Sequence, residues 1–112
     1  MNIKNKVKLE IRDLLEALAH NDFTKISTNN WYGRLNKEDI KTRISEYGRT
    51  LTPPPDSFME KAYIYNYEDG SGLKIDVPLW TIEEGMSDLT LSLELIYEGD
   101  NEKLQMSDLH VL

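Results

Sequence analysis

The sequence predicts an α+β domain in which two N-terminal helices pack on a curved four-stranded antiparallel sheet, and three observations carry that prediction. Apolar residues recur at helical spacing in the first half of the chain, and they alternate with polar residues at strand spacing from Met59 onward. Between the two stretches stand Pro53, Pro54 and Pro55, a run that fits neither a helix interior nor a central strand. At 112 residues and 39% hydrophobic composition the chain can bury one core, so residues 1–112 form a single domain: a helical half (1–50), a proline-rich connector (51–58) and a sheet half (59–112).

In the helical half, Ile3, Val7, Ile11, Leu14, Leu15 and Leu18 mark one face of a first helix that runs to about Ala19. His20, Asn21 and Asp22 stop it. Phe23 and Ile26 suit one more short turn against the core, and Ser27 to Asn30 read as a loop. The second helix carries clear start signals. Asn36 is a good N-cap, Glu38 and Asp39 place negative charge in the first turn, and Leu35 and Ile40 flank the cap as a hydrophobic staple. Ile40, Ile44 and Tyr47 form its inner face, and Gly48 ends it in the left-handed conformation.

In the sheet half, Met59, Tyr63, Tyr65 and Tyr67 share one parity of a first strand, and Asp69 to Gly72 turn it into a hairpin with Leu73–Leu79. Leu89–Tyr97 is the clearest strand, with Leu89, Leu91, Leu93 and Leu95 on one side and Thr90, Ser92 and Glu94 on the other. In the last strand Leu104 and Met106 share one parity while Leu109 and Val111 share the other, which predicts a bulge near Ser107 and Asp108. The element order resembles helix-then-curved-sheet folds of the nuclear-transport-factor and cystatin types.

Charge is unevenly spread. Residues 1–49 hold 10 basic and 7 acidic residues, and residues 50–112 hold 3 and 13, so the sheet half carries the whole of the net charge of −7 and more. An acidic field repels nucleic-acid phosphates and attracts basic protein surfaces, and it also serves solubility. The absence of cysteine removes disulfides and thiolate chemistry and suits a reducing compartment. The residues after the basic start are spaced for a helix rather than for a signal peptide, and no run reaches membrane-spanning length. The chain therefore reads as cytoplasmic.

No catalytic residue, metal site or cofactor is predicted. His20 and His110 stand in no metal-ligand spacing, and no phosphate-binding glycine motif or nucleophile elbow occurs. Asp108 and His110 share a strand face, as an acid/base dyad or as a solvent-facing pair. Glu83, Glu84 and Asp88 cluster around Gly85, either as solvated loop charge or as a contact surface for a basic partner. Six Tyr and two Trp against two Phe favour rings with polar tips, which anchor interfaces. Trp31, Tyr32 and Trp80 are the candidate anchors. Tyr63 and Tyr65 are expected either to line a concave sheet face or to fill the core.

The segments Tyr47-Gly48-Arg49-Thr50-Leu51-Thr52, Asp76-Val77-Pro78-Leu79-Trp80-Thr81, Glu84-Gly85, Ser87-Asp88-Leu89-Thr90-Leu91 and Asp108-Leu109-His110-Val111-Leu112 resemble a family of small bacterial domains of unknown function, over about residues 32 to 112. In size, acidity and lack of cysteine the chain is also similar to the immunity proteins of contact-dependent growth inhibition and other polymorphic toxin systems. That resemblance implies binding to a cognate toxin, a basic nuclease domain, with Glu83, Glu84, Asp88, Asp100 and Glu102 as acidic contacts and with no direct nucleic-acid or membrane binding. The alternative is a ligand-binding or enzymatic pocket between helices and sheet, using Tyr63, Tyr65, Asp76 or His110.

Overall fold

The computed structural model describes residues 3–112. The first helix, α1 (Asn5–Ala19), buries Val7, Ile11, Leu14, Leu15 and Leu18 along the expected stripe. Phe23 and Ile26 belong to a separate short helix, α2 (Phe23–Thr28), started by Asp22, whose side chain accepts the Lys25 N–H. The described residues thus form three α-helices where two were expected. The α3 helix (Lys37–Tyr47) begins with a reciprocal cap: Asn36 Oδ1 accepts the Asp39 N–H at 2.8 Å, and Asp39 Oδ2 accepts the Asn36 N–H at 3.4 Å. Such a cap contributes about 1 kcal/mol. Gly48 closes the helix with φ near +75°.

The sheet has five strands rather than four: β1 (Leu51–Thr52), β2 (Tyr63–Asn66), β3 (Gly72–Thr81), β4 (Gly85–Glu98) and β5 (Asn101–Val111). All pairings are antiparallel, and the order is β1-β3-β4-β5, with β2 also on β3. The extra strand comes from the connector. Leu51 and Thr52 lie opposite Thr81 and Trp80, while β2 pairs with Leu73 to Asp76, so two short strands share one edge of β3. Phe58 to Lys61 form a 3-10 turn, which moves Met59 out of the strand expected from its parity.

Between Ser92 and Leu93 the β5 partners skip from Asp108 to Met106, leaving Ser107 as the extra residue of a bulge, where the parity shift placed it. The bulge lets Leu104, Met106 and Leu109 all enter the core. Beyond β5 the edge is covered by the loop after α2: Met106 N–H donates to Trp31 C=O at 2.8 Å, and Arg34 N–H donates to Met106 C=O at 3.0 Å. Gly33 lies so close that a Cβ there would meet Met106 C=O at 2.2 Å, and its φ is +58°. Only glycine fits.

All helices cover one face of the sheet. Alternate residues of β3 (Leu73, Ile75, Val77, Leu79) and β4 (Leu89, Leu91, Leu93, Leu95) fill that side with α1, Ile26, Trp31 and Ile40. Among the described residues no helix covers the opposite face, and none is long and apolar enough to cross a membrane.

Candidate functional site

The β3–β4 turn is built by hydrogen bonds. Thr81 pairs with Gly85, which has φ +76°, leaving three residues to turn the chain. Thr81 Oγ1 accepts the Glu84 N–H and donates to Glu84 Oε1, both at 3.0 Å. From α3, Tyr47 Oη donates to Glu84 Oε2 at 2.9 Å and accepts the Asp88 N–H at 3.2 Å. Glu83 accepts both the N–H and the hydroxyl of Thr50 at 2.9 Å, and Ile82 N–H donates to Thr50 C=O. The bond from the Thr50 N–H, followed by its own backbone N–H and the Thr50 hydroxyl, holds the Glu83 carboxyl below its usual range against a small opposing effect of burial.

This bracing leaves large apolar side chains in water. Ile82 is 70% exposed and Met86 51% exposed. The last residues of β5 arrive at the same end, because Val111 lies opposite Leu89 and Leu112 N–H donates to Asp88 C=O. Both are exposed, Leu112 by 81%. Four of the eight exposed large hydrophobics among the described residues therefore gather at one end of the sheet, beside Glu83, Glu84 and Asp88. A groove of about 300 Å³ opens there between α3 and β5, floored by Leu89 and Leu109 and lined by Tyr47, His110 and Val111.

The other expected contact residues lie elsewhere. The fourteen residues of β4 run the length of a molecule 39 Å long, so the turn bearing Asp100 and Glu102 is at the far end from Glu83. Glu102 is half-buried and pairs with Lys4 Nζ at 3.3 Å. The five acids do not form one surface. Trp31 corrects a second expectation: it is 2% exposed in the core, with Nε1 donating to Glu10 Oε2 at 2.8 Å, so it cannot anchor a partner. Tyr32 is half-buried, and loss of water raises its phenol pKa. Trp80 is half-buried against the core beside Leu15, Leu51 and Pro54.

Of the residues of the pocket alternative, Tyr63, Tyr65 and Asp76 lie on the helix-free face, and His110 lies on β5 beside the α3 groove. Tyr63 and Tyr65 are exposed rather than lining an enclosed space. Asp76 accepts the Ser92 hydroxyl at 2.6 Å and lies 3.7 Å from Lys74 Nζ. His110 Nδ1 is 3.1 Å from Asp108 Oδ2 but outside hydrogen-bond geometry, and Asp108 also faces Arg43 at 3.8 Å. Glu94 is the best-connected group. Arg34 Nε at 3.0 Å, Tyr67 Oη at 2.8 Å and Gln105 Nε2 at 3.3 Å all donate to it. Burial pushes the Glu94 carboxyl up, yet these bonds and the Arg34 charge bring it below its usual range. Asp76 ties β3 to β4, Glu94 ties β4 to β5 and to the Arg34 loop, and Asp108 faces α3. Among the described residues no group of three or more His, Asp and Glu is placed to hold a metal ion.

Sequence reasoning found the acids of the turn and missed its apolar residues. Ile82 and Met86 flank the acidic residues in sequence, but which side of a turn faces water depends on Thr50 and Tyr47, more than thirty residues away.

A model for a family described as a domain of unknown function, DUF7668, matches residues 15–112, nearly the whole chain. The chain belongs to the DUF7668 family. The DUF7668 match begins within α1 and takes in every strand, and with them the braced turn and the exposed residues around it. Neither a curated protein nor a solved structure matches the chain.

Proposed function

We propose that this DUF7668 domain is a protein-binding domain of the immunity type, which works in the bacterial cytoplasm and neutralises a cognate toxin by occupying a basic surface of it, without catalysis. One observation carries the reading: a hydrogen-bonded turn holds Ile82 and Met86 in water beside Val111 and Leu112, with Glu83, Glu84 and Asp88 around them. Exposed apolar side chains on a backbone already braced by hydrogen bonds spare the ordering of that backbone on binding, so they suit the buried centre of an interface. The surrounding carboxylates suit a rim that meets Lys and Arg, speeds encounter and rejects acidic surfaces. A nuclease toxin presents that chemistry, because its substrate is a polyanion. The family-like segments Tyr47–Thr52, Asp76–Thr81 and Glu84–Leu91 supply the braces and strand ends of this turn.

The pocket reading takes second place. A nuclear-transport-factor-like or cystatin-like pocket needs ligand space between helices and sheet, and the side chains facing that space are buried against one another. The gap lined by Leu15, Leu51, Leu79 and Trp80 is about 10 Å³, room for one water at most.

The test is co-purification of the tagged chain with the product of the adjacent gene, followed by titration of the pair. The expected result is tight binding that weakens as salt rises, and that Ile82→Ala with Met86→Ala weakens by about tenfold or more. Asp88→Lys should slow association while the chain stays folded. Affinity unchanged by all three substitutions would sink the turn as the contact surface, and the absence of any partner would sink the immunity reading.

A further inference from the structure

At the opposite margin of the sheet, β2 presents an unpaired edge. Its hydrogen-bonding parity follows from one bond: Tyr67 N–H donates to Gly72 C=O at 3.0 Å, so Tyr67 and Gly72 form a bonded pair. Bonded and non-bonded pairs alternate in an antiparallel ladder. Tyr65 and Tyr63 therefore bond to Lys74 and Asp76, whereas Ile64 and Asn66 turn their N–H and C=O groups away from β3. The far side of β3 agrees, since Tyr97 N–H donates to Ser71 C=O, which assigns the odd-numbered residues Leu73, Ile75 and Val77 to β4. Among the described residues no hydrogen bond reaches the outward groups of Ile64 and Asn66.

Sheet edges of soluble proteins are blunted by bulges, prolines, charges or a covering segment. The edge of β5 is covered by the Trp31–Arg34 loop. The four residues of β2 contain no proline, charge or bulge, and two of them are tyrosines, 67% and 51% exposed, on the helix-free face.

We propose that β2 pairs antiparallel with the β2 of a second copy of this chain, joining two sheets into one across a two-fold axis at Tyr65. The edge is its own complement in this register. Ile64 falls opposite Asn66 of the other copy and Asn66 opposite its Ile64, so the outward groups of both residues are satisfied together. Tyr65 meets its own equivalent as a non-bonded pair, the closer of the two kinds, where aromatic rings on one face touch. Lys61 is brought toward the other copy's Asp69. Slipping the axis to Ile64 would instead need the Ala62 N–H, which already donates to Met59 C=O, and would oppose Glu60 to Glu68. Like charge, −7 on each copy, opposes the pairing. Screening by salt therefore strengthens this association, the reverse of the behaviour expected of a toxin complex.

Sedimentation of the full chain from micromolar to millimolar concentration tests the proposal directly. The expected result is a monomer–dimer equilibrium that shifts toward dimer with added salt. Asn66→Pro removes an outward N–H and no bond to β3, so it should leave the fold intact and weaken the dimer about tenfold or more, while Asn66→Ala should not. The chain has no cysteine, which allows a second readout independent of that proline. Tyr65→Cys should form a disulfide-linked dimer much faster under mild oxidation than Tyr97→Cys, which lies at the end of β4 away from the axis. A monomer throughout the concentration range, or equal cross-linking at the two cysteines, would overturn the pairing. Ile82→Ala with Met86→Ala leaves the dimer unchanged if it uses β2, so its failure and that of the turn as a toxin contact are separable.

Discussion

The two faces of the central strand are equally dry for different reasons. Toward the helices, Leu89, Leu91, Leu93 and Leu95 pack into an apolar core. On the other side no helix lies over Thr90, Ser92 and Glu94, yet they are only 3%, 1% and 8% exposed. Small side chains flanked by longer ones account for this: Thr90 lies between Pro78 and His110, and Ser92 between Asp76 and Asp108. Glu94 is roofed by Arg34, Tyr67 and Gln105, which all bond to it. One face is closed by apolar packing, the other by longer polar neighbours and the hydrogen bonds they make, most of all at Glu94. Loss on the first should cost a cavity, and loss on the second should cost only the bonds removed.

The largest effect is expected on the packed face. Leu93 is fully buried at the middle of the sheet, so Leu93→Ala should lower unfolding free energy by about 2–5 kcal/mol, measured by urea denaturation. A loss below about 1 kcal/mol would mean that this face is not close-packed.

Glu94→Gln probes the bonded face with little change of volume. It puts an amide N–H₂ among three donors and should cost about 1–3 kcal/mol, less than Leu93→Ala. It should also alter the response to acid. The folded carboxyl titrates below its unfolded value of about 4.5, so its contribution is complete above that pH and is lost as pH falls through the folded value. In the Gln variant the fall of stability below about pH 4.5 should be shallower than in the parent chain. Parallel curves for the two proteins would show that Glu94 is not held ionised by its partners.

How much of this was legible in the sequence follows the range of the interactions. The Asn36–Asp39 cap, the Gly48 stop and the Ser107 bulge were readable because each depends on neighbours in the chain or on a strand's own period. The strand β1 was not, since two residues beside three prolines carry no period; Leu51 and Thr52 are strand only because Thr81 and Trp80 lie opposite. Trp31 was misjudged because its loop position suggested exposure, whereas its indole N–H finds Glu10 twenty-one residues earlier. The scattering of the acids was implicit in the hairpin order, which sends Glu83 and Asp100 to opposite ends of β4. Tyr63 and Tyr65 had a readable parity but not a readable face, because a tyrosine suits either side of a sheet.

The smallest effect sharpens the contrast most. Ser92 is buried like the core leucines, yet among the described residues its side chain bonds only to Asp76, which keeps Lys74 nearby and some access to water. Ser92→Ala removes a donor without opening a large hole, and Asp76 can turn to solvent, so the cost should be about 1 kcal/mol. Asp76→Ala removes the acceptor altogether. In a double-mutant cycle of these two changes, measured by urea denaturation, a coupling of about 0.5–1.5 kcal/mol is expected. A coupling near zero would mean that Ser92 is dry through strand geometry alone, and the outer face would then be closed by packing, like the inner one.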